Sequence, residues 1–585
     1  MKPNIIIDHM VAKDGYLHLH IQGVLENCHR KDKIRILLLF THDKENRRLP
    51  VEIKYRYKEL PSLSCELEGE IVVDLPFVFY KEQEFLSCNM KLILEYGMDE
   101  IDNIPFAVDK NIDIEGIEVS QNNLVIIQKL FQRKVHKKEG FFYRIYQVIS
   151  FIVCFLFLPF FLIDALLAIK GVITQYPKNS KEKGIKAILR HINYRTKRIS
   201  GLSYSTRDLK TQFFTICYNL MKTKPIIDNR ILFLSERLTN EKGNLLRIYH
   251  DLATIDDKLE YILWQKEKTV SQMSLKELYT VAKYIATSKV VVLDDFYPQL
   301  HALYVKKETT IIQLWHACGA FKTFGFTRMG KPGGVAQDSL NHRSYDLVFV
   351  SGENIRGVYS ETFGIPIENV KALGVPRTDV FFDKEYEGQV KEKLINRYPN
   401  LRDKKVILFA PTFRGDGNRD AYYPVQKLNL NHLLESLPDD YVIIIKNHPF
   451  VKNKFVYDLK YSNRVVDTFT STEDINDLLF VTDLLITDYS SVIFEAALRD
   501  IPMIFYTFDL EDYMENRDIY YDYSNFVPGP IVMDQEELIR EILVARENNR
   551  DSRQFREYFL DALDGKSTKR ITDYIYNNYF SKQVS

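Results

Sequence analysis

Cysteine is sparse in this chain. Six occur in 585 residues, Cys28, Cys65, Cys88, Cys154, Cys217 and Cys318, and no two stand at a paired spacing. That scatter argues against a disulfide framework and against a cysteine-based zinc motif, and the thiols are read as reduced, in a cytosolic chain. Excess charge of either sign is missing too. There are 79 basic and 79 acidic residues, so no global field draws the chain to nucleic acid and no such partner is expected. No Walker-type loop is present, which removes the commonest ATPase signature. The opening residues, MKPNIIIDHM, lack the long apolar core of a signal peptide. Apolar side chains are plentiful, at 45% of residues, and 13% are aromatic. A large core is therefore available, and the length suits three or four domains.

Residues 1–118 read as a β domain. Tyr16 to Ile21 and Val51 to Tyr57 alternate apolar and polar residues, and Ile71 to Leu75 and Met90 to Leu94 follow. Short strands at this spacing suggest a sandwich. His18 and His20 share one strand face, which makes a metal site conceivable, with an ordinary polar sheet face as the commoner outcome.

Residues 119–215 differ in character. Ile145 to Ile163, IYQVISFIVCFLFLPFFLI, carries no charge and is about long enough to cross a bilayer as a helix. Gln147, Ser150 and Pro159 weaken a spanning helix, and basic residues flank the run on both sides, Lys181, Lys183 and Lys186 among them. Apolar residues between basic runs fit an anionic membrane surface. An interfacial or re-entrant anchor, a buried core helix and a single span are the three readings, ranked in that order. The expectation is a peripheral or monotopic membrane-associating helical connector.

From about residue 228 strands and helices alternate, which implies parallel sheets. Ile231 to Ser235, Val290 to Leu293, Ile311 to Trp315 and Asp346 to Val350 form one series. Val406 to Ala410, Tyr441 to Lys446, Leu484 to Thr487 and Met503 to Tyr506 form a second. The expected fold class is α/β: two Rossmann-like domains, 216–384 and 385–585, behind the β domain and the connector. Ligands of such sheets gather at the carboxyl ends of the strands.

Four strand ends carry chemistry. Trp315-His316 leads into Gly319 and Lys322; Thr412 and Arg414 follow a second strand; Lys446-Asn447-His448-Pro449 ends a third; Asp488, Ser490 and Ser491 follow a fourth, with Glu495 one turn into the next helix. A histidine just after a buried strand can act as a general base or contact a phosphate. Arginine and lysine supply the charge a transferring phosphate needs. Ser490 and Ser491 suit a phosphate at a helix start, and equally suit plain helix capping. A lone histidine at a strand end is commonly structural. Asp294-Asp295 is read as a loop or capping pair, and no metal is expected.

Taken as a set, LWHACGAFKTFGFTRMGKPGG (314–334), LGVPRTD (373–379), APTFRG (410–415), KNHP (446–449) and TDYSSVIFEAALRDIPMIFY (487–506) resemble the CDP-glycerol/CDP-ribitol transferases that build teichoic acids on the inner face of Gram-positive membranes. The resemblance covers about residues 228–530 and implies a GT-B pair of domains. The β domain looks like that of the longer, polymerising members. It implies attack by a hydroxyl of the growing chain on the β-phosphorus of a CDP-alditol, with CMP leaving and no cofactor or metal. His316 is then the general base. His448 orients or stabilises the donor phosphates. Arg414, Ser490 and Ser491 hold the pyrophosphate, with Thr412 and Lys446 beside it, and Glu495 reaches the ribose hydroxyls. Asp488 orients a neighbour, and Trp315, Gly319 and Lys322 shape the acceptor loop. The implied acceptor is a polyprenyl-diphosphate-linked teichoic acid chain at the cytoplasmic face of the membrane. Ribitol is slightly favoured over glycerol by the ACGAF and GKPGG wording. Two other classes stay open: a GT-B glycosyltransferase using a nucleotide sugar, and a non-catalytic membrane scaffold.

Overall fold

The computed structural model describes residues 1–127 and 206–581, apart from short stretches at 14, 43–44, 60–61, 79–86, 110–115, 121–122, 237–242, 267, 332–333, 416–419, 469–472 and 546–551. The chain forms two compact units. One comprises Met1–Arg133, His316–Ser339 and Val348–Ile571; the other comprises Lys134–Trp315, Leu340–Leu347 and Thr572–Ser585.

The first unit begins with a ten-stranded sheet. Its strands are β1 (Lys2–Lys13), β2 (Tyr16–Glu26), β3 (Ile34–His42), β4 (Glu45–Lys58), β5 (Ser64–Asp74), β6 (Ser87–Tyr96), β7 (Asp99–Ile101), β8 (Phe106–Val108), β9 (Ile117–Ser120) and β10 (Asn123–Ile127). The order is β8-β1-β2-β5-β4-β3-β6-β10-β9, with β7 beside β6. Only the β1–β8 pairing is parallel. Strict alternation makes one face apolar: along β5, Cys65, Leu67, Ile71 and Val73 are buried while Glu66, Glu68 and Glu70 point out.

The expected sandwich of two sheets is corrected to one curled, near-barrel sheet around a single core. The physical reason is β4. Its residues 45–51 pair with β3, and Glu52–Lys58 pair with β5. One long strand thus serves both halves, as a corner strand does when sheets meet at an angle. His20 lies on the outer polar face, with Nδ1 2.5 Å from Asp8 and Nε2 3.2 Å from Glu68. The carboxylates raise its pKa, and His18 is exposed. The imidazole of His20 is thus held between two acids.

The second unit contains the parallel strands β11 (Ile227–Ser235), β12 (Glu260–Gln265), β13 (Ser288–Leu293) and β14 (Thr310–Gln313), in the order β12-β11-β13-β14. Helices Asn244–Ile255 and Leu275–Thr287 make the crossovers. The latter starts in a capping box: Ser274 accepts from the Glu277 amide and the Glu277 carboxylate accepts from Ser274.

Where the chain re-enters the first unit, Val348 and Phe349 of β15 (Leu347–Phe349) pair in parallel with β16 (Val370–Lys371). The charged stretch after Glu385 is helical over Lys384–Arg397, with Asp383 as its cap. A second all-parallel sheet follows: β17 (Lys405–Phe409), β18 (Tyr441–Ile445), β19 (Val465–Asp467), β20 (Leu484–Thr487), β21 (Met503–Tyr506) and β22 (Ile531–Val532). Its order is β19-β18-β17-β20-β21-β22. The central strands are buried on both faces, which is why their sequences are unbroken apolar runs. The strand order reverses direction between β17 and β20. That switch point is where such sheets open a crevice.

Among the described residues no helix is long and apolar enough to cross a membrane. Ile145 to Ile163, and Lys181, Lys183 and Lys186, lie outside the described residues.

Candidate active site

The crevice of the β17–β22 sheet is framed by one arginine. Arg414 donates from Nε and Nη2 to the two oxygens of Asp509, at 2.6 and 2.9 Å, and from Nη1 to Asp488 Oδ2 and the Thr412 carbonyl, at 3.0 and 2.6 Å. Burial opposes its charge, but Asp488 and Asp509 outweigh this and hold its pKa above the usual arginine value. Four rings surround the guanidinium, those of Tyr423, Tyr489, Phe508 and Tyr513, at 5.2 to 5.8 Å. Tyr489 and Tyr513 stack with centroids 3.6 Å apart. Asp488 is itself buried and accepts from the amides of Thr412 and Tyr489, at 2.7 and 2.6 Å. Asp488 therefore ties the end of β17 to the end of β20. Arg414, expected on a pyrophosphate, spends four hydrogen bonds on the protein and fixes the crevice wall.

Beside this frame the groups are more open. Lys322 is exposed by surface yet hemmed in by protein, the signature of a side chain lining a concavity. That crowding, reinforced by Arg517 and Arg414 and opposed by Asp488, lowers its pKa to about 8. Its ammonium stands 5.7 Å from the centre of the Tyr513 ring. Arg517 lies over the ring of Phe413 at 5.8 Å and donates to the Gly415 carbonyl at 2.6 Å. Phe413 in turn packs on His448, centroids 4.7 Å apart, and Phe450 packs on the imidazole at 4.6 Å. The Phe450 amide donates to His448 Nδ1 at 3.2 Å. An Nδ1 that accepts places the proton of the neutral ring on Nε2, so His448 presents a donor. Lys446 is half-buried, and burial lowers its pKa against the pull of Asp474 and Glu473. Two buried polar atoms here have no protein partner, Thr412 Oγ1 and Asn447 Oδ1. In a site such orphans invite a ligand or water.

The loop after His316 is pressed onto the helix Val492–Leu498. Gly319 has φ +64°, and a Cβ there would come 2.2 Å from Phe494 Cε1, so only glycine fits. Its amide donates to Ser351 Oγ at 3.0 Å and its carbonyl accepts from the Tyr359 hydroxyl at 2.9 Å. His316, three residues earlier, is exposed. Ser490 and Ser491 are half-exposed. Ser491 occupies the cap position without a side-chain cap bond, and Ser490 Oγ accepts only a long 3.4 Å bond from the Val492 amide. Capping alone does not occupy them. Glu495 is 2% exposed, and its carboxylate takes the Arg377 guanidinium. Burial raises its pKa and Arg377 pulls it back down.

Trp315 belongs to the second unit. It is buried, with φ +56°, held by a 2.8 Å bond from its amide to Gln313 Oε1 and a 2.7 Å bond from Asn244 Nδ2 to its carbonyl. Its ring meets His342 edge-on. In the same unit the Asp295 carboxylate accepts from the Phe296 amide at 2.8 Å, a loop-forming contact. Among the described residues no group of three or more His, Cys, Asp or Glu side chains could hold a metal ion.

Sequence reasoning missed Asp509, Arg517, Tyr513 and Arg377. Asp509 follows β21 just as Asp488 follows β20, so the same strand-end rule could have found it. Arg377 stood in LGVPRTD without a role.

Parallel sheets with cations and imidazoles at their strand ends define a GT-B-like protein of two Rossmann-like domains behind a near-barrel. More narrowly, residues 216–577 match the CDP-glycerol:poly(glycerophosphate) glycerophosphotransferase family, and the chain belongs to it. The chain is 46% identical over 369 residues to the teichoic acid poly(ribitol-phosphate) polymerase of Bacillus spizizenii, covering 63% of this chain and 60% of that one. It is 39% identical over 346 residues to the teichoic acid ribitol-phosphate polymerase TarL of Staphylococcus aureus, covering 59% and 61%. A teichoic acid ribitol-phosphate primase of Bacillus spizizenii is 35% identical over 388 residues, covering 64% of this chain and 97% of its own. The matched part thus spans about three fifths of the length of the two polymerases. A solved structure of the wall teichoic acid polymerase TagF superposes with a TM-score of 0.51 at 22% identity, over 67% of this chain and 96% of that one, a likeness of fold.

Proposed function

We propose that the chain transfers alditol phosphate from a CDP-alditol to a lipid-linked teichoic acid chain, releasing CMP, and that ribitol phosphate is the unit. The observation that carries the reading is the run of neighbours His448–Phe413–Arg517–Lys322 beside the Arg414 frame: two cations and an imidazole donor line one crevice at the carboxyl ends of parallel strands. Family membership supports the donor class, and the printed names of the 46% and 39% identical relatives support ribitol over glycerol.

The proposed step is an in-line displacement. An acceptor hydroxyl attacks the β-phosphorus, its proton passes to His316, the bond from the β-phosphorus to the bridging oxygen breaks, and CMP departs. His448 donates from Nε2 to the donor phosphates, while Lys322 and Arg517 balance charge that builds on equatorial and leaving oxygens. Thr412, Lys446, Ser490 and Ser491 complete the phosphate lining. Glu495 serves the ribose with Arg377 as its partner. The protein would work at the cytoplasmic face of the membrane, with the β domain running on to Ile127 at the end of β10 where 118 was expected, the stretch from there to 215 as its membrane-associating connector, 216–384 as the acceptor half and 385–585 as the donor half.

The test is CMP release from CDP-ribitol and CDP-glycerol in parallel, with and without a lipid-linked acceptor analogue. Acceptor-dependent CMP from CDP-ribitol, lost in His316→Ala, is expected. No CMP from either donor with a competent acceptor, or unaltered activity in His316→Ala, would sink the reading or its base.

A further inference from the structure

The N-terminal near-barrel reaches the crevice through one short segment. Helix Leu510–Arg517 ends at Asp518, which adopts φ +55°, a left-handed conformation that side chains with a Cβ disfavour. From there the chain runs against the loop that carries Lys322. The Thr323 amide reaches the Asp518 carbonyl only at 3.5 Å, Ile519 bridges Lys322, and the Tyr520 amide donates to the Phe321 carbonyl at 2.8 Å. These contacts alone hold a strained turn loosely. Lys33, just before β3, and residues of β3 and β6 complete the grip. Lys33 donates to Asp518 Oδ1 at 2.9 Å and to the Ile519 carbonyl. Lys331 takes the other oxygen of Asp518. Arg35 bonds Glu95 at 2.7 Å and also bonds Glu361, and its guanidinium lies 4.2 Å over the ring of Tyr520. The Tyr520 hydroxyl is shared by the same two carboxylates, at 2.9 to 3.2 Å.

We propose that Lys33 and Arg35 are positioning residues for phosphate transfer: they lock Asp518–Tyr520, which sets Arg517 on one side and Lys322 on the other. The β domain is then part of the working site and not an appendage. The inference rests on the donor-site reading above. It adds that two cations of the β domain act through two cations of the crevice.

A double-mutant cycle tests it on the full chain. Lys33→Met should lower the turnover number for CMP release about tenfold and Lys322→Met about a hundredfold, while the double variant should fall clearly short of the product of the two losses, its remaining excess over Lys322→Met being the share that Lys33 exerts through Arg517. Lys33→Arg should recover most of the loss. Amide hydrogen exchange should quicken about tenfold at 321–323 and 518–520 in Lys33→Met, with residues 36–40 of β3 unchanged. Should Lys33→Met not fold, Asp518→Asn weakens the same contact from the other side and should reproduce both effects. Additive losses in the cycle, or unchanged exchange at 321–323, would overturn the proposal. If the wild-type chain releases no CMP from either CDP-alditol, the functional reading is what fails, and the exchange experiment still decides whether the β domain fixes the loop.

Discussion

Arg414 and Arg35 solve the same problem in two regions. Each is a partly buried guanidinium between two carboxylates and against a tyrosine: Arg414 with Asp488, Asp509 and Tyr489, Arg35 with Glu95, Glu361 and Tyr520. They differ in who else serves the acids. Asp488 also accepts two backbone amides, so it is bound into the strand ends. Glu95 and Glu361 share the Tyr520 hydroxyl, and burial raises the pKa of Glu95 against the pull of Arg35. One cluster is a rigid frame of the crevice. In the other, burial favours the protonated form of Glu95 and Arg35 opposes it.

Three measurements break or sharpen that contrast. The largest effect should come from Arg414→Met, which strands two carboxylates in the crevice wall. Urea unfolding should show a loss of about 3–5 kcal/mol, and CMP release should disappear. Arg35→Met should cost less, about 1–3 kcal/mol at pH 8, and the penalty should shrink at pH 5.5. The sign follows from Glu95: its folded pKa lies above its unfolded value, so its contribution is present at low pH and is lost as pH rises through the folded pKa. An equal penalty at both pH values would show that Glu95 cannot take the proton. The smallest effect belongs to the partly exposed analogue on the β sheet, His20 between Asp8 and Glu68. His20→Gln should cost about 0.5 kcal/mol at pH 6 and nothing measurable at pH 8.5. Its folded pKa is raised, so its stabilisation is complete below the unfolded value and is lost above the folded one.

The contrast also separates what was legible from what was not. The frame around Arg414 is local to strand ends, and APTFRG and TDYSS mark it because a buried parallel strand must end in a polar turn. Asp509 escaped notice because its strand end, Thr507-Phe508-Asp509, carries no serine or histidine to draw attention. Arg35 was invisible for a different reason. Its carboxylates lie 60 and 326 residues away, and no periodicity encodes a partner at that distance. The near-barrel was misread as a sandwich through β4. Val51 to Tyr57 alternates, but the first half of that strand, ENRRLP, is charged and ends in Pro50, a pattern that argues against a strand interior. There Arg48 is matched by Glu100, with bonds of 2.6 and 2.8 Å, and that pairing accounts for its charge.

The grip of Lys33 on Asp518 joins residues 485 positions apart. Ribosomes would make the lysine first and deliver its aspartate later by about 25–100 s, at 5–20 residues per second. Once residue 127 has been made, the near-barrel is complete enough to fold, and from then until Asp518 arrives Lys33 lacks the partner that grips it. The last quarter of the polypeptide therefore closes a contact that the first tenth has held open, and a nascent chain stalled before residue 518 would have a finished β sheet and an unset crevice.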